Sequence, residues 1–535
     1  MTAAQTISPA DLERMLEDEA ELAVIDVREE WDFARGHLLF AACAPLSRLE
    51  LRVPQLVPRR TTRIVVCDQD TRLARDAAHI LLDHGYDNVH VLAGGSTSWS
   101  QIGHRTFKGI YVPSKAFGEL VEHACHTPSI GPEELERLIA RNGDVVILDS
   151  RPFNEFQRMS IPGAANCPGG ELVYRIEAAV KSLSTTIVVN CAGRTRSILG
   201  AQSLITAGIE NPVYALRNGT MGWQLAGYDV ARGAGNIVGV PDEAARHRAQ
   251  ERARHVAQCA NVKTIGMRDL NAMRADPSRT TYLFDVRTIE EYQQGHLPGA
   301  RFAPGGQLVQ ATDSYAGTLR ARCVVYDSDG VRAPMTASWL AQLATLEVYL
   351  LEGTSGQDLT ETGGEVVPCL IDLKDIRVRT MCAEALRNAL ARGDVELLDL
   401  ANSNEFAEAH IPGAWFVLRR HLASHVANAQ SREIVLTSPD GVLATIAALD
   451  LVTSFAGRVR TLDGGTAAWL AAGYSTVGGF ERARDEPIDV WHTPSSIFGR
   501  GKPEMQEYID WETGLREQVI REPGARFAVV PRNNE

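Results

Sequence analysis

The sequence predicts an α/β protein built from four tandem small domains, each a doubly wound parallel sheet. Three observations carry that expectation. Four short apolar runs end in aspartate at domain-length spacing: AVIDVR at Asp26, VVILDSR at Asp149, YLFDVR at Asp285 and VELLDLA at Asp399. Each aspartate is followed at fixed offsets by an acid and an aromatic (Asp32/Phe33, Glu155/Phe156, Glu291/Tyr292, Glu405/Phe406), then by LLFA, IPGA, LPGA or IPGA. A second apolar run, a helix-like stretch and a third run closing on a glycine-rich turn follow in every unit. Coincident offsets of this kind mark an internal repeat. Apolar runs of strand length alternating with helices predict βαβ units around a buried parallel sheet.

The elements follow in order. The second runs are RIVVC to Cys67, TIVVNC to Cys191, CVVYD to Asp327 and EIVLTS to Ser438. Helical segments such as RSILGAQSLITAG come next, and the third runs pass into VLAGGSTSW, ALRNGTMGW, LLEGTSGQD and TLDGGTAAW. Trp99, Trp223 and Trp469 share one slot and are expected in the core, while the third unit has Asp358 there. Asp149, Arg151 and Glu155 are expected to form an ion-pair staple that holds a loop. Residues 1–106, 127–233, 262–360 and 375–480 are the four expected domains. Residues 234–261 form a charged, alanine-rich helical linker, and 481–535 a C-terminal packing arm without visible chemistry.

Composition agrees with about three to four domains at roughly 150 residues each. The 535 residues are 44% hydrophobic and 23% charged, with a formal net charge of −13. An acidic chain without a basic block argues against nucleic acid or an anionic membrane as partner. No run approaches a membrane span of about 18 apolar residues, and residues 1–20 lack the basic start and apolar core of a secretory signal. The nine cysteines form no CxxC pair and no Cys/His cluster at zinc spacing. A reduced, cytoplasmic protein without metal or other cofactor is expected.

One cysteine stands apart. Ligands of open α/β sheets bind beyond the carboxyl ends of the strands, where the second unit carries Cys191-Ala192-Gly193-Arg194-Thr195-Arg196-Ser197 at the start of a helix. A short loop curling there aims backbone N–H groups and the positive end of the helix at one sulfur. With Arg194 and Arg196 nearby, these donors are expected to favour thiolate, the nucleophilic form. Gly193 allows the tight turn.

This segment resembles the active-site loop of the rhodanese family, with cysteine, arginine five positions later and Ser/Thr after that. The Asp-x-Arg…Glu-Phe, IPGA and Gly-Gly…Trp elements are similar to the family's other signatures, and together they cover nearly all of residues 5–478. The resemblance implies a sulfurtransferase of the multi-domain bacterial type. Cys191 would take a sulfane sulfur from a small-molecule donor such as thiosulfate and yield it to an acceptor such as cyanide, a thiol or a protein. Arg196 and Arg194 would orient the anionic donor, and the loop from Ala192 to Ser197 would bind it. Tyrosine-phosphatase-type loops carry one residue more between cysteine and arginine, which disfavours that chemistry here. Mercaptopyruvate or glutathione persulfide as donor, or a non-catalytic sulfur-carrier or scaffold role, remain the alternatives.

The other units depart from the pattern. Unit 1 offers Cys67 and Arg72 as a possible second site, but Asp68 and Asp70 sit in its loop and oppose thiolate formation. Unit 3 has Asp327 in the cysteine slot and keeps Arg332, whereas unit 4 has Ser438 and no arginine. Both are expected to be inactive.

Overall fold

Each apolar run that ends in aspartate becomes a central strand, Leu22–Asp26, Val145–Asp149, Thr281–Asp285 and Val395–Asp399, with both faces covered by helices. The computed structural model describes residues 4–141, 143–427, 433–452, 458–494 and 501–531. Short stretches of the expected domains 1–106, 127–233 and 375–480 and of the 481–535 arm therefore lie outside the described residues.

The second runs form the parallel neighbours Arg63–Cys67, Thr186–Asn190, Arg322–Tyr326 and Glu433–Thr437. The third runs form Val89–Leu92, Val213–Leu216, Glu347–Leu351 and Val459–Leu462 beside them. Two further strands complete each sheet and escape a reading of apolar runs. One precedes the first helix of each repeat (Gln5–Ile7, Ser129–Ile130, Lys263–Ile265, Arg379–Met381). The other follows the IPGA-type turn (Ala41–Cys43, Ala165–Asn166, Arg301–Phe302, Trp415–Phe416). At two or three residues they are too short to show a periodicity. The result is four α/β domains, each with one parallel sheet.

The expected staple is present in the first three repeats. Arg28, Arg151 and Arg287 each donate through Nη2 to Asp26, Asp149 and Asp285 at 2.6 Å, and also to a main-chain carbonyl eight residues on. Glu155 is not part of it, and pairs instead with Arg196. In the fourth repeat Asp399 has no arginine two residues on, and burial pushes its carboxyl up to about 7. Trp99, Trp223 and Trp469 are buried in their cores.

The repeats pair first with fourth and second with third, and the first also packs on the third through Thr312–Tyr315 and Thr318–Leu319. Glu50 accepts two hydrogen bonds from Arg419, at 2.7 and 3.0 Å, across the first pair. In the second pair Gly169 and Gly170 meet Gly305 and Gly306 so closely that a Cβ on Gly170 would lie 3.0 Å from the Gly306 nitrogen. Trp339 donates to Ser203 at 2.8 Å across this boundary, and one continuous apolar cluster spans both domains. The linker helix Glu243–Cys259 lies over the pair, held by Arg248 and Arg252 to Glu177 and by Gln250 to the Asp329 carbonyl. One strand breaks the domain-by-domain order. Thr318–Leu319 of the third repeat pairs antiparallel with Leu22–Ala23 of the first.

Candidate active site

Strand register fixes which residue occupies the nucleophile slot. Asp149 pairs with Asn190, so Cys191 is the first residue beyond the strand. By the same register Asp285 pairs with Tyr326 and Asp399 with Thr437, placing Asp327 and Ser438 in that slot. In the first repeat Asp26 pairs with Cys67 itself. The slot residue there is Asp68, one position after the cysteine that ends the apolar run. The following turn agrees, because Thr220, Ser96 and Thr466 donate their N–H to the carbonyls of Cys191, Asp68 and Ser438 respectively. Cys67 is therefore a strand residue, fully buried, with its thiol pushed well above the ordinary range by burial. Arg72 is exposed and corresponds to Thr195 rather than to Arg196. Cys67 and Arg72, the possible second site, thus lie outside the nucleophile slot and the Arg196 position.

The four loops are versions of one anion cradle. In the first repeat the Asp68 carboxylate accepts from the N–H groups of Asp70, Thr71, Leu73 and Ala74. In the third, Asp327 accepts from Gly330, Val331 and Ala333. Ser438 accepts from Ala444 at 3.3 Å in the fourth. The second repeat places a sulfur at this position. Cys191 Sγ lies 3.6 Å from the Ser197 hydroxyl, which donates to the Arg194 carbonyl. The carbonyls of Cys191 and Ala192 accept from the N–H groups of Thr220 and Met221. Gly219, at φ +55°, makes this approach possible, since a Cβ there would lie 2.4 Å from the Cys191 oxygen.

The two loop arginines play different parts. Arg196 donates to both oxygens of Glu155, at 2.9 and 2.8 Å, and to Gln307 of the third repeat at 3.2 Å. Its third-repeat counterpart Arg332 likewise holds Glu291 and reaches across to Glu171. Arg194 points away from the sulfur and is held by Glu119, Glu122 and Asn218. Burial raises the Cys191 thiol, and the Arg196 charge and the Ser197 hydrogen bonds offset this only in part. The covered site thus disfavours thiolate on balance, contrary to what the loop alone suggests.

The C-terminal arm, expected only to pack, lies over this loop. Helix Lys502–Thr513 lays Met505, Tyr508, Ile509 and Glu512 against the loop and Met221. Glu512 is 1% exposed and accepts from the Thr195 hydroxyl at 2.6 Å and the Thr195 N–H at 3.4 Å. Helix Val112–Cys125, between the first and second repeats, closes another side. Its Gly118 sits against Thr195, and Lys115 and Glu119 face the same space. Burial pulls the Lys115 ammonium down to about 8. Nothing local announces Glu512, which lies 317 residues from Thr195. The Lys115, Glu119 and Glu122 face of an otherwise apolar helix was the one available signal.

Among the described residues one cluster, His421, His425 and Asp485, has metal-ligand spacing. Both histidines are within hydrogen-bond distance of Asp485, and Arg420 donates to the remaining nitrogen of His421, so hydrogen bonding accounts for the arrangement. No helix among the described residues is long and apolar enough to cross a membrane.

The Rhodanese-like domain family matches residues 8–102, 131–226, 267–355 and 383–472. A crystal structure of a thiosulfate sulfurtransferase from Pseudomonas aeruginosa superposes with a TM-score of 0.93 at 44% identity, covering 98% of this chain and all of that one. Among curated relatives, an uncharacterised protein of Synechocystis is 31% identical over 105 residues, 19% of this chain and 56% of that protein. An HTH-type transcriptional regulator of Mycobacterium tuberculosis is 35% identical over 92 residues, 17% of this chain and 40% of that protein. The chain thus spans about half the length of the curated relatives it matches.

Proposed function

Since this chain belongs to the rhodanese-like family, we propose that it is a sulfurtransferase that moves a sulfane sulfur from thiosulfate to a thiophilic acceptor through a persulfide on Cys191. The observation that carries this reading is the cradle comparison. Three loops set an oxygen ligand of their own against their N–H donors, and the second alone presents a sulfur.

In the first half-reaction the Cys191 thiolate attacks the outer sulfur of thiosulfate. The S–S bond of the donor breaks, its electron pair leaves with sulfite, and Cys191 holds a persulfide anion. In the second, cyanide or a thiolate takes the terminal sulfur and Cys191 returns as thiolate. The loop N–H groups other than that of Thr195 stabilise the anionic sulfur in both steps. Arg196, locked by Glu155 and Gln307, sets a fixed positive charge beside it. Arg194 is spent on Glu119 and Glu122, so the preference for a compact dianion rests on Arg196 and Lys115. The resemblance to the Pseudomonas enzyme supports thiosulfate as donor.

Cys191→Ser is expected to abolish thiosulfate-to-cyanide transfer, and Cys67→Ser to leave most of it, in steady-state assays. Mass spectrometry of thiosulfate-treated protein should find one added sulfur on the Cys191 peptide. Loss of activity on Cys67→Ser with retention on Cys191→Ser would reverse the assignment.

A further inference from the structure

Resting on the sulfurtransferase reading, we propose that Thr195 and Lys115 form the subsite for the anionic end of the sulfur donor, and that Glu512 of the C-terminal arm occupies this subsite until the donor displaces it.

The loop position two residues after the slot sets the second repeat apart. In the first, third and fourth repeats that position is aspartate, and its carboxylate caps the N–H two residues further on. Asp70 accepts from Arg72 at 3.2 Å, Asp329 from Val331 at 2.9 Å and Asp440 from Val442 at 2.9 Å. In the second repeat the position is Gly193, and the internal carboxylate is gone. The corresponding N–H belongs to Thr195, and Glu512 arrives from the arm to take it. A Cβ on Gly193 would lie 3.1 Å from Glu512 Oε2, so the external carboxylate stands close to where the internal one would project. Every repeat therefore keeps an anion at this point, and only beside Cys191 is that anion carried on a separate element.

Glu512 is an imperfect occupant. Its Oε2 is buried without a hydrogen-bond partner, which is costly for a carboxylate oxygen. Lys115 completes the subsite. Its ammonium is buried and lies over the rings of Tyr508 and Trp511, at 5.1 and 4.7 Å, and of Tyr111 at 5.9 Å. The charge of Glu512 acts on it, yet among the described residues it forms no ion pair. A sulfonate oxygen in place of Glu512 would meet the Thr195 hydroxyl and N–H, the positive end of helix Thr195–Thr206 and this ammonium. The donor's leaving group would then sit beside the loop that holds the sulfur. Cys191 is 2% exposed and Tyr508, Ile509 and Met505 pack beside its loop at Ala192 and Gly193, so the donor enters as Glu512 and its helix give way.

Binding without turnover tests this. Isothermal titration of thiosulfate into the full-length Cys191→Ser protein gives a reference Kd. Adding Glu512→Ala should tighten binding by about tenfold, and adding Lys115→Met should weaken it by about tenfold, the size expected for one charge-assisted hydrogen bond. Glu512→Gln keeps the side-chain shape and guards against a packing defect; it should tighten binding by about threefold, having lost the charge but not the contact. Unchanged or weaker binding in both Glu512 variants would overturn the proposal, as would unchanged binding in Lys115→Met. Failure of the parent reading would show elsewhere, as absence of sulfur transfer by the wild-type protein.

Discussion

Arg196 is the residue at which charge, geometry and step can be separated. It is held on one side by Glu155 of its own domain and on the other by Gln307 of the third repeat. Burial alone would push the Glu155 carboxyl up, yet Arg196 holds it below the usual range, which shows how strongly the two are coupled. A guanidinium so fixed adds electrostatic stabilisation without reorganising during the reaction. Its charge matters most while a dianion is bound and sulfite is leaving. Arg196→Ala is therefore expected to slow loading from thiosulfate by roughly tenfold to a hundredfold, corresponding to the ~1.5–3 kcal/mol of a charged hydrogen-bond partner. Transfer from the preformed persulfide to cyanide should slow much less. Single-turnover measurement of each half-reaction decides this, and equal slowing of both would make Arg196 a structural residue only.

At the scale of the loop, one cradle serves four residues with four outcomes. The sequence shows the cradle's location, because a strand end followed by a helix start is a local pattern. It misplaces the first repeat by one residue, because the last apolar residue of RIVVC is still inside the strand. The pairing of Asp26 with Cys67 and the hydrogen bond from the Ser96 N–H to the Asp68 carbonyl reveal this, and neither is local. The third repeat supplies the converse test. Asp327→Cys would put a thiol into a ring of N–H donors with Arg332 five positions on, as in the second repeat. Asp329 would still hold the Val331 and Arg332 N–H groups and place a carboxylate beside the sulfur. In a Cys191→Ser background this variant should transfer sulfur at below about one-hundredth of the wild-type rate, since a like charge disfavours the thiolate. Adding Asp329→Gly, which copies Gly193, should raise that rate. Assays of the two variants side by side check it; robust activity from Asp327→Cys alone would show that the slot residue is the whole difference.

Across the whole molecule, chain order and spatial order disagree. Four complete sets of apolar runs suggest a chain divisible between the second and third repeats, at the linker helix. The fold packs the second repeat on the third and the first on both the fourth and the third, so such a cut severs all three interfaces at once. It also separates Thr318–Leu319 from its partner strand, Arg419 from Glu50, and Trp339 from Ser203. The arm makes the same point for the site, because Glu512 and Cys191 would fall in different fragments. None of this was visible in a sequence whose repeats each look self-sufficient, since glycine pairs such as Gly169–Gly170 and Gly305–Gly306 read as turns until they are seen back to back. A fragment of residues 262–535 should consequently be poorly behaved alone. Its third repeat would expose Val309, Met335 and Trp339, all buried in the apolar cluster shared with the second, and exposed apolar patches of that kind drive association. Size-exclusion chromatography is expected to show it as heterogeneous oligomers that bind a hydrophobic dye. Co-expression with residues 1–261 should return a single defined species with thiosulfate-to-cyanide transfer restored. A 262–535 fragment that runs as a sharp monomer without dye binding would mean that the paired interfaces contribute little to stability.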